Sequence, residues 1–314
     1  MKLLLILLFT LLIRLPLLSA NQQDLYLNYA QALKQNNLNQ TTFFPPSETR
    51  LFPGYPLLIL LFNLITPSLL SAGHLINILS AIAAVFLFYR LTENYHLTFL
   101  FSLFPPVWLR QSTNISTEPL TVVLLLLALW LNSRRHYFAV GLIIGLATTV
   151  RLIAVCLLFG LIMVHTNKKQ HLFKIIFGFL IPLGFFFSFN YFTFGPEGVF
   201  RQIAIYPKVG GAGGFSHLGI ITIVKDIFRA FDWKQYRILI SGLFYLTLNF
   251  FTLISLFRLR LKKQLFRIAF FWQLSSLGFI FSFSPIPLLE EFGRFTVPFV
   301  PAIILGLQTI KLRS

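Results

Sequence analysis

Hydrophobic runs recur along the whole length of this chain, and polar residues collect in the short stretches between them. Helices that cross a bilayer leave this signature, since about 20 apolar residues cover the roughly 30 Å of hydrocarbon. The first expected span is residues 3–20, entered from the side of Lys2. Residues 54–66 are apolar but too short to cross, and Pro53, Pro56 and Pro67 bracket them, so a helix that dips partway is expected there. Crossings are expected at 73–91, 97–109, 118–132, 172–194, 237–257, 266–284 and 294–310. The apolar stretch 137–166 holds Arg151 in its middle. One helix there would put the basic clusters Arg134–His136 and Lys168–Lys169 on opposite faces. Two short helices turning near Arg151 keep both clusters on one face, as the positive-inside tendency favours.

The sum is an all-α fold: a polytopic transmembrane helical bundle of about ten spans, taken as one domain over residues 1–314. Both termini are expected to be cytoplasmic, with large outer loops at 21–53 and 195–236. The amino terminus resembles a secretory signal, but Arg14 and Pro16 interrupt its apolar run, so an uncleaved first helix is expected.

Composition agrees with the pattern. The chain is 56% hydrophobic and only 11% charged, outside the soluble range. Its net charge of +17 would suggest nucleic acid on a soluble protein. Here much of the basic charge lies in short loops between spans, where orientation in the membrane accounts for it. The single cysteine, Cys156, excludes a disulfide within the chain. No GxxxxGK, HExxH or GxSxG pattern occurs, which removes the nucleotide P-loop and leaves a zinc protease or a lipase without support.

With so few charges, their placement carries information. Asp24, Glu48 and Arg50 share the first outer loop, and most other acids fall in or beside outer segments. Basic residues at helix ends on that face run against the positive-inside tendency: Arg50, Arg110, Arg151, Lys208 and Arg294. An anionic ligand would account for them. Asp24 can be read as a general base close to the membrane surface, or as the N-cap of a short helix beginning at Leu25. Glu118 lies in Ser116-Thr117-Glu118-Pro119, a complete helix-start signal with a hydroxyl cap, or else a substrate contact. Arg151 either snorkels to the outer surface or faces a cavity. Glu291 and Arg294 either tether the start of the last span or form a phosphate grip in which the acid orients the guanidinium. Lys208, beside the glycine-rich stretch Gly210–Gly214, is a further phosphate contact in a lid-like loop.

Several short pieces, in this order, resemble the GT-C superfamily of integral membrane glycosyltransferases. They are Asp24 just past the first span, Arg50-Leu-Phe-Pro53-Gly54-Tyr55-Pro56, Thr117-Glu118-Pro119-Leu120, and Glu291-Phe-Gly293-Arg294-Phe before the last span. The resemblance implies a GT-C-like bundle with short helices in the first outer loop. It implies inverting, mannosyltransferase-like transfer of a sugar from a polyprenyl-phosphate donor to an acceptor on the extracytoplasmic face. Asp24 would be the base, and Arg294 with Arg50 or Arg151 would bind the lipid phosphate. The chain lacks a second acid beside Asp24, so no metal-ligand cluster is seen, although the family leaves room for a divalent metal. The acceptor, whether lipid, glycan or protein, is not readable, and no nucleic-acid partner is expected. The setting would be the cell membrane of a prokaryote or the endoplasmic reticulum of a eukaryote. The rival reading is a transporter or flippase of a lipid-linked or small anionic substrate, which would favour internal repeats and charges near the midplane.

Overall fold

The computed structural model describes residues 1–18, 25–35, 53–196, 228, 236–260, 263–282 and 288–307. The described regular elements are all helical. They fall into two compact units, Met1–Val155 with Lys168–Ile205, and Cys156–Asn167 with Tyr206–Ser314.

The first unit contains α1 (Lys2–Arg14), α2 (Leu25–Lys34), α3 (Gly54–Phe62), α4 (Leu69–Thr92), α5 (Tyr95–Leu103), α6 (Pro106–Thr113), α7 (Glu118–Ser133), α8 (Tyr137–Val150) and α10 (Lys169–Phe194). Between α8 and α10 the chain forms α9 (Val155–His165), nearly all of which belongs to the second unit. Local chemistry sets several boundaries. Ser68 caps α4 by accepting a hydrogen bond from the Ser71 amide at 3.1 Å, and Glu93 closes the helix in the left-handed conformation at φ 52°. Asn94 then caps α5 through the His96 and Leu97 amides. Prolines 105 and 106 break the chain between α5 and α6, because proline supplies no amide to continue a helix.

Contacts at helix ends fix how these helices run. Lys2 lies 5.9 Å from the Tyr95 ring, and Arg14 donates to the Ser102 carbonyl, so α1 and α5 run parallel. Gly73 and Asn77, early in α4, meet Ile115 and the Asn114 carbonyl just ahead of α7, so these two helices start at one end. A tight turn at Arg134–His136 reverses the chain into α8. Stacking of Tyr137 on His171, at 3.9 Å, puts the starts of α8 and α10 together. One end of the unit therefore carries Arg134, Arg135, Lys168 and Lys169, and the other carries Glu118 and Arg151.

Small residues allow the closest pairing. A Cβ at Gly141 of α8 would collide with the Ile175 carbonyl oxygen of α10, and one at Gly145 would lie 2.7 Å from the Phe179 carbonyl. Gly178 answers from the other helix against Phe138. Backbone approach of this kind holds helices together where lipid offers no hydrophobic drive.

The second unit holds α9 with α11 (Tyr236–Leu259), α12 (Gln264–Ser282), α13 (Leu288–Thr296) and α14 (Val300–Leu307). Its centre is polar: the buried Gln273 amide donates to Thr252 at 2.9 Å and to the Asn249 side chain at 3.2 Å, joining α11 to α12. Ser275 donates to the Cys156 carbonyl at 2.9 Å, and Gly160 admits the Trp272 backbone.

Of the roughly ten crossings expected, α4, α10, α11 and α12 are single helices long and apolar enough to span. The bent pair α6–α7, turned by 111°, would make a fifth. Elsewhere the expected spans hold shorter helices. α1 has 13 residues, which rise about 20 Å. The expected crossing at 97–109 is divided at Pro105–Pro106, and the one at 294–310 at the short turn Val297–Phe299 that holds Pro298. The stretch 137–166 does divide at Arg151 into α8 and α9, and 54–66 holds the nine-residue α3.

The packing separates two glycines. Gly141→Ala gains about 1 kcal/mol of helix propensity but meets backbone, and overpacking of that kind costs about 1–3 kcal/mol. Gly184→Ala gains the same propensity with nothing within 4 Å. Thermal melts of the detergent-purified protein should therefore show Gly141→Ala lowering Tm and Gly184→Ala leaving it unchanged or raised.

Candidate functional site

At the end of the first unit opposite Arg134 and Arg135, a carboxylate and a guanidinium meet. Arg151 Nη1 lies 2.6 Å from Glu118 Oε1; Glu118 is fully buried and the Arg151 side chain is 14% exposed. The residues are 33 apart in sequence, and the α7–α8 hairpin is what brings them together. Glu118 opens α7 and Arg151 closes α8 in extended conformation at φ −154°, ψ 122°. Leaving the helix at Arg151 turns its side chain back toward the start of the neighbouring helix.

Thr117 completes the group. A hydroxyl of the Ser116-Thr117 pair was expected to cap α7, but no side-chain cap forms there. Instead the Thr117 oxygen accepts from Arg151 Nη1 at 3.1 Å and lies 3.4 Å from Glu118 Oε2. The Pro119 position in the first turn and the acid near the positive helix end agree with the helix-start signal. The hydroxyl departs from it, because a partly buried guanidinium is a stronger claim on an acceptor than a backbone amide that can be left at a helix end. Arg151 is thus paired with both Glu118 and Thr117.

Neighbouring polar groups converge on the same end. Tyr55 of α3, fully buried, donates to Asn77 Oδ1 at 2.9 Å, and the Asn77 amide donates to the Asn114 carbonyl. Ser116 donates to the Gln111 carbonyl at 2.6 Å. Gly54 brings the start of α3 against the Thr149 backbone, two residues before Arg151. Tyr26 of α2 sits edge-on to Tyr55, with ring centroids 5.4 Å apart. Leu27, Ala30, Tyr55, Ile76, Ile115 and Val150 share one buried cluster, so α2 is packed into the wall of this end. Burial also pushes the Tyr29 phenol of α2 above its ordinary range.

Asp24, Arg50 and Lys208 lie outside the described residues. In sequence Asp24 directly precedes Leu25, where α2 begins. Glu291 and Arg294 belong to the second unit, where they sit on the short helix α13 rather than opening a long final span. Arg294 falls in its last turn. Gly293 packs on the Tyr245 ring and Thr296 donates to the Gly293 carbonyl at 2.7 Å, fixing this turn. Among the described residues, no three His, Cys, Asp or Glu side chains gather as a metal-ligand set.

Two contributors were not anticipated from sequence. Asn77 is an amide inside the apolar run 73–91, and a lone amide there signals a buried hydrogen-bond partner. Arg14, which interrupts the first apolar run, is fully buried. It donates to Ser112 Oγ at 2.7 Å, Ser102 O at 3.0 Å and Thr10 O at 3.1 Å, beside the Trp108 ring. It ties α1 to both sides of the α5–α6 break, ahead of the segment leading to Glu118.

No protein-family model, curated protein or solved structure matches the chain.

Breaking a buried pair strands the remaining charge, at about 3 kcal/mol or more. Glu118→Gln and Arg151→Gln should each lower the Tm of the purified protein, and the double variant should lose clearly less than their sum. Additive losses would show that the two side chains do not interact.

Proposed function

We propose that this chain is an integral membrane glycosyltransferase of GT-C type, with about ten passes, using a polyprenyl-phosphate-linked sugar. The observation that carries the reading is the buried Glu118–Arg151–Thr117 group, gathered at the end of the unit opposite its basic cluster. By the positive-inside tendency the Arg134/Arg135/Lys168/Lys169 end faces the cytoplasm and the Glu118–Arg151 end faces outward. An even number of passes then makes both termini cytoplasmic.

The acceptor hydroxyl attacks the anomeric carbon from the face opposite the phosphate. The carbon–oxygen bond to the lipid phosphate breaks with inversion, and Asp24 takes the proton of the attacking hydroxyl. The polyprenyl phosphate leaves as an anion, so no nucleotide site is required. Arg151, oriented by Glu118 and Thr117, offsets the charge that grows on the leaving phosphate, with Arg50 as a further contact.

One feature favours a second reading, a transporter or flippase of a lipid-linked or small anionic substrate. The 111° bend between α6 and α7 resembles the discontinuous helices on which transporters build their sites. Proteoliposomes loaded with a panel of polyprenyl-phosphate sugars separate the two. The transferase reading expects a glycosyl product, with Asp24→Asn reducing turnover about 10²-fold or more, while Arg151→Gln weakens donor use. Transfer that survives Asp24→Asn would reject the base, and vectorial movement of solute without product would establish the transporter.

A further inference from the structure

At the end of the first unit away from Glu118, two segments present a dense positive face. Arg134 and Arg135 occupy the α7–α8 turn, and Lys168, Lys169 and Lys174 lie on or next to the first turns of α10; all five are exposed. Among the described residues none of them is within ion-pair distance of a carboxylate, the Glu118–Arg151 pair being elsewhere. The stack of Tyr137 on His171, at 3.9 Å, pins the segments together, and Lys168, Lys174 and Arg135 all lie within electrostatic reach of that imidazole.

Positive charge that only sets orientation needs no defined geometry and no particular neighbours. This face has both. Directly along the same two helices, Phe138 and Phe177 face each other at 6.2 Å, and Phe173 stacks on Phe177 at 6.1 Å with rings 7° from parallel. Their exposures are 43%, 53% and 69%, so the phenyl ladder is open rather than core. A water-soluble anion would use the cations and leave the ladder uncovered. A molecule with an anionic head and an apolar tail covers both.

We propose that the face formed by Arg135, Lys168, Lys169 and Lys174, with Phe138 and Phe177 beside it, binds an anionic phospholipid of the adjacent leaflet. The cations take the headgroup phosphate, and the rings take the first part of an acyl chain. This lipid site is separate from the Glu118–Arg151 group and lies at the other end of the unit.

The test uses the full chain in detergent, titrated with dioleoyl phosphatidylglycerol, dioleoyl phosphatidylcholine or inorganic phosphate, with binding read by native mass spectrometry and by the shift in Tm. Phosphatidylglycerol should bind at least about tenfold more tightly than phosphatidylcholine, and Lys169→Gln should weaken it about fivefold, the usual effect of one basic residue near an anionic surface. Combined Lys168→Gln, Lys169→Gln and Lys174→Gln should abolish the preference, and Phe177→Ala should weaken lipid binding without changing the response to phosphate. Equal binding of the two lipids, a preference that survives in Lys169→Gln at full strength, or stabilisation by inorganic phosphate equal to that by phosphatidylglycerol would overturn the proposal. The wild-type comparison and the single variant decide the matter even where the triple variant does not fold.

Discussion

A carboxylate with no exposed surface stays charged inside an apolar bundle only when a cation reaches it, and for Glu118 that cation is Arg151 at 2.6 Å. Much of the first unit follows from that requirement. The two residues sit at the start of α7 and the end of α8, so they meet only if the chain reverses between those helices. The tight Arg134–His136 turn provides that reversal and carries exposed positive charge at its tip. Close approach of α8 to α10 through glycines then brings Lys168 and Lys169 to the tip as well. One end of the unit is left with exposed cations that, among the described residues, pair with no carboxylate. At the other, a cation and an anion are bound to each other.

A buried ion pair is weak evidence for stability, since well-packed apolar residues of similar volume often do as well. Its retention in a chain that is only 11% charged is better explained by use. Thr117 points the same way: its hydroxyl bonds the guanidinium and leaves the helix start uncapped. Among the described residues, Glu118 and Thr117 both engage Nη1 of this guanidinium, which is 14% exposed. The leaving phosphate of a lipid-linked sugar is the anion proposed for it.

The division of residues 137–166 was legible because charge decided it: Arg151 and the two basic clusters cannot be satisfied by one helix. The short α3 was legible from its length and its prolines. The number of full spans was not, because hydropathy does not distinguish a run that forms one helix from a run broken at Pro105 or Pro298. At the site, Glu118 and Arg151 stood out as charges in apolar surroundings, yet nothing local told that they pair with each other. That contact spans 33 positions and arises only when α7 and α8 pack. Likewise the Thr117 pattern reads as a cap, and only the arrival of Arg151 diverts it. Asn77 and Arg14 were visible as polar residues in apolar runs, while their partners at Asn114, Ser102 and Ser112 depended on how α4, α5 and α6 are arranged.

The proposed orientation requires the Glu118–Arg151 end and the Arg135 end to face opposite sides of a bilayer. Single cysteines at Arg110 and at Arg135, both exposed positions, placed in a chain whose buried Cys156 is replaced by serine, test this directly. In sealed vesicles of known orientation, a membrane-impermeant maleimide should label Arg110→Cys from the outer face, and Arg135→Cys only after permeabilisation. Labelling of both positions from the same face would contradict it.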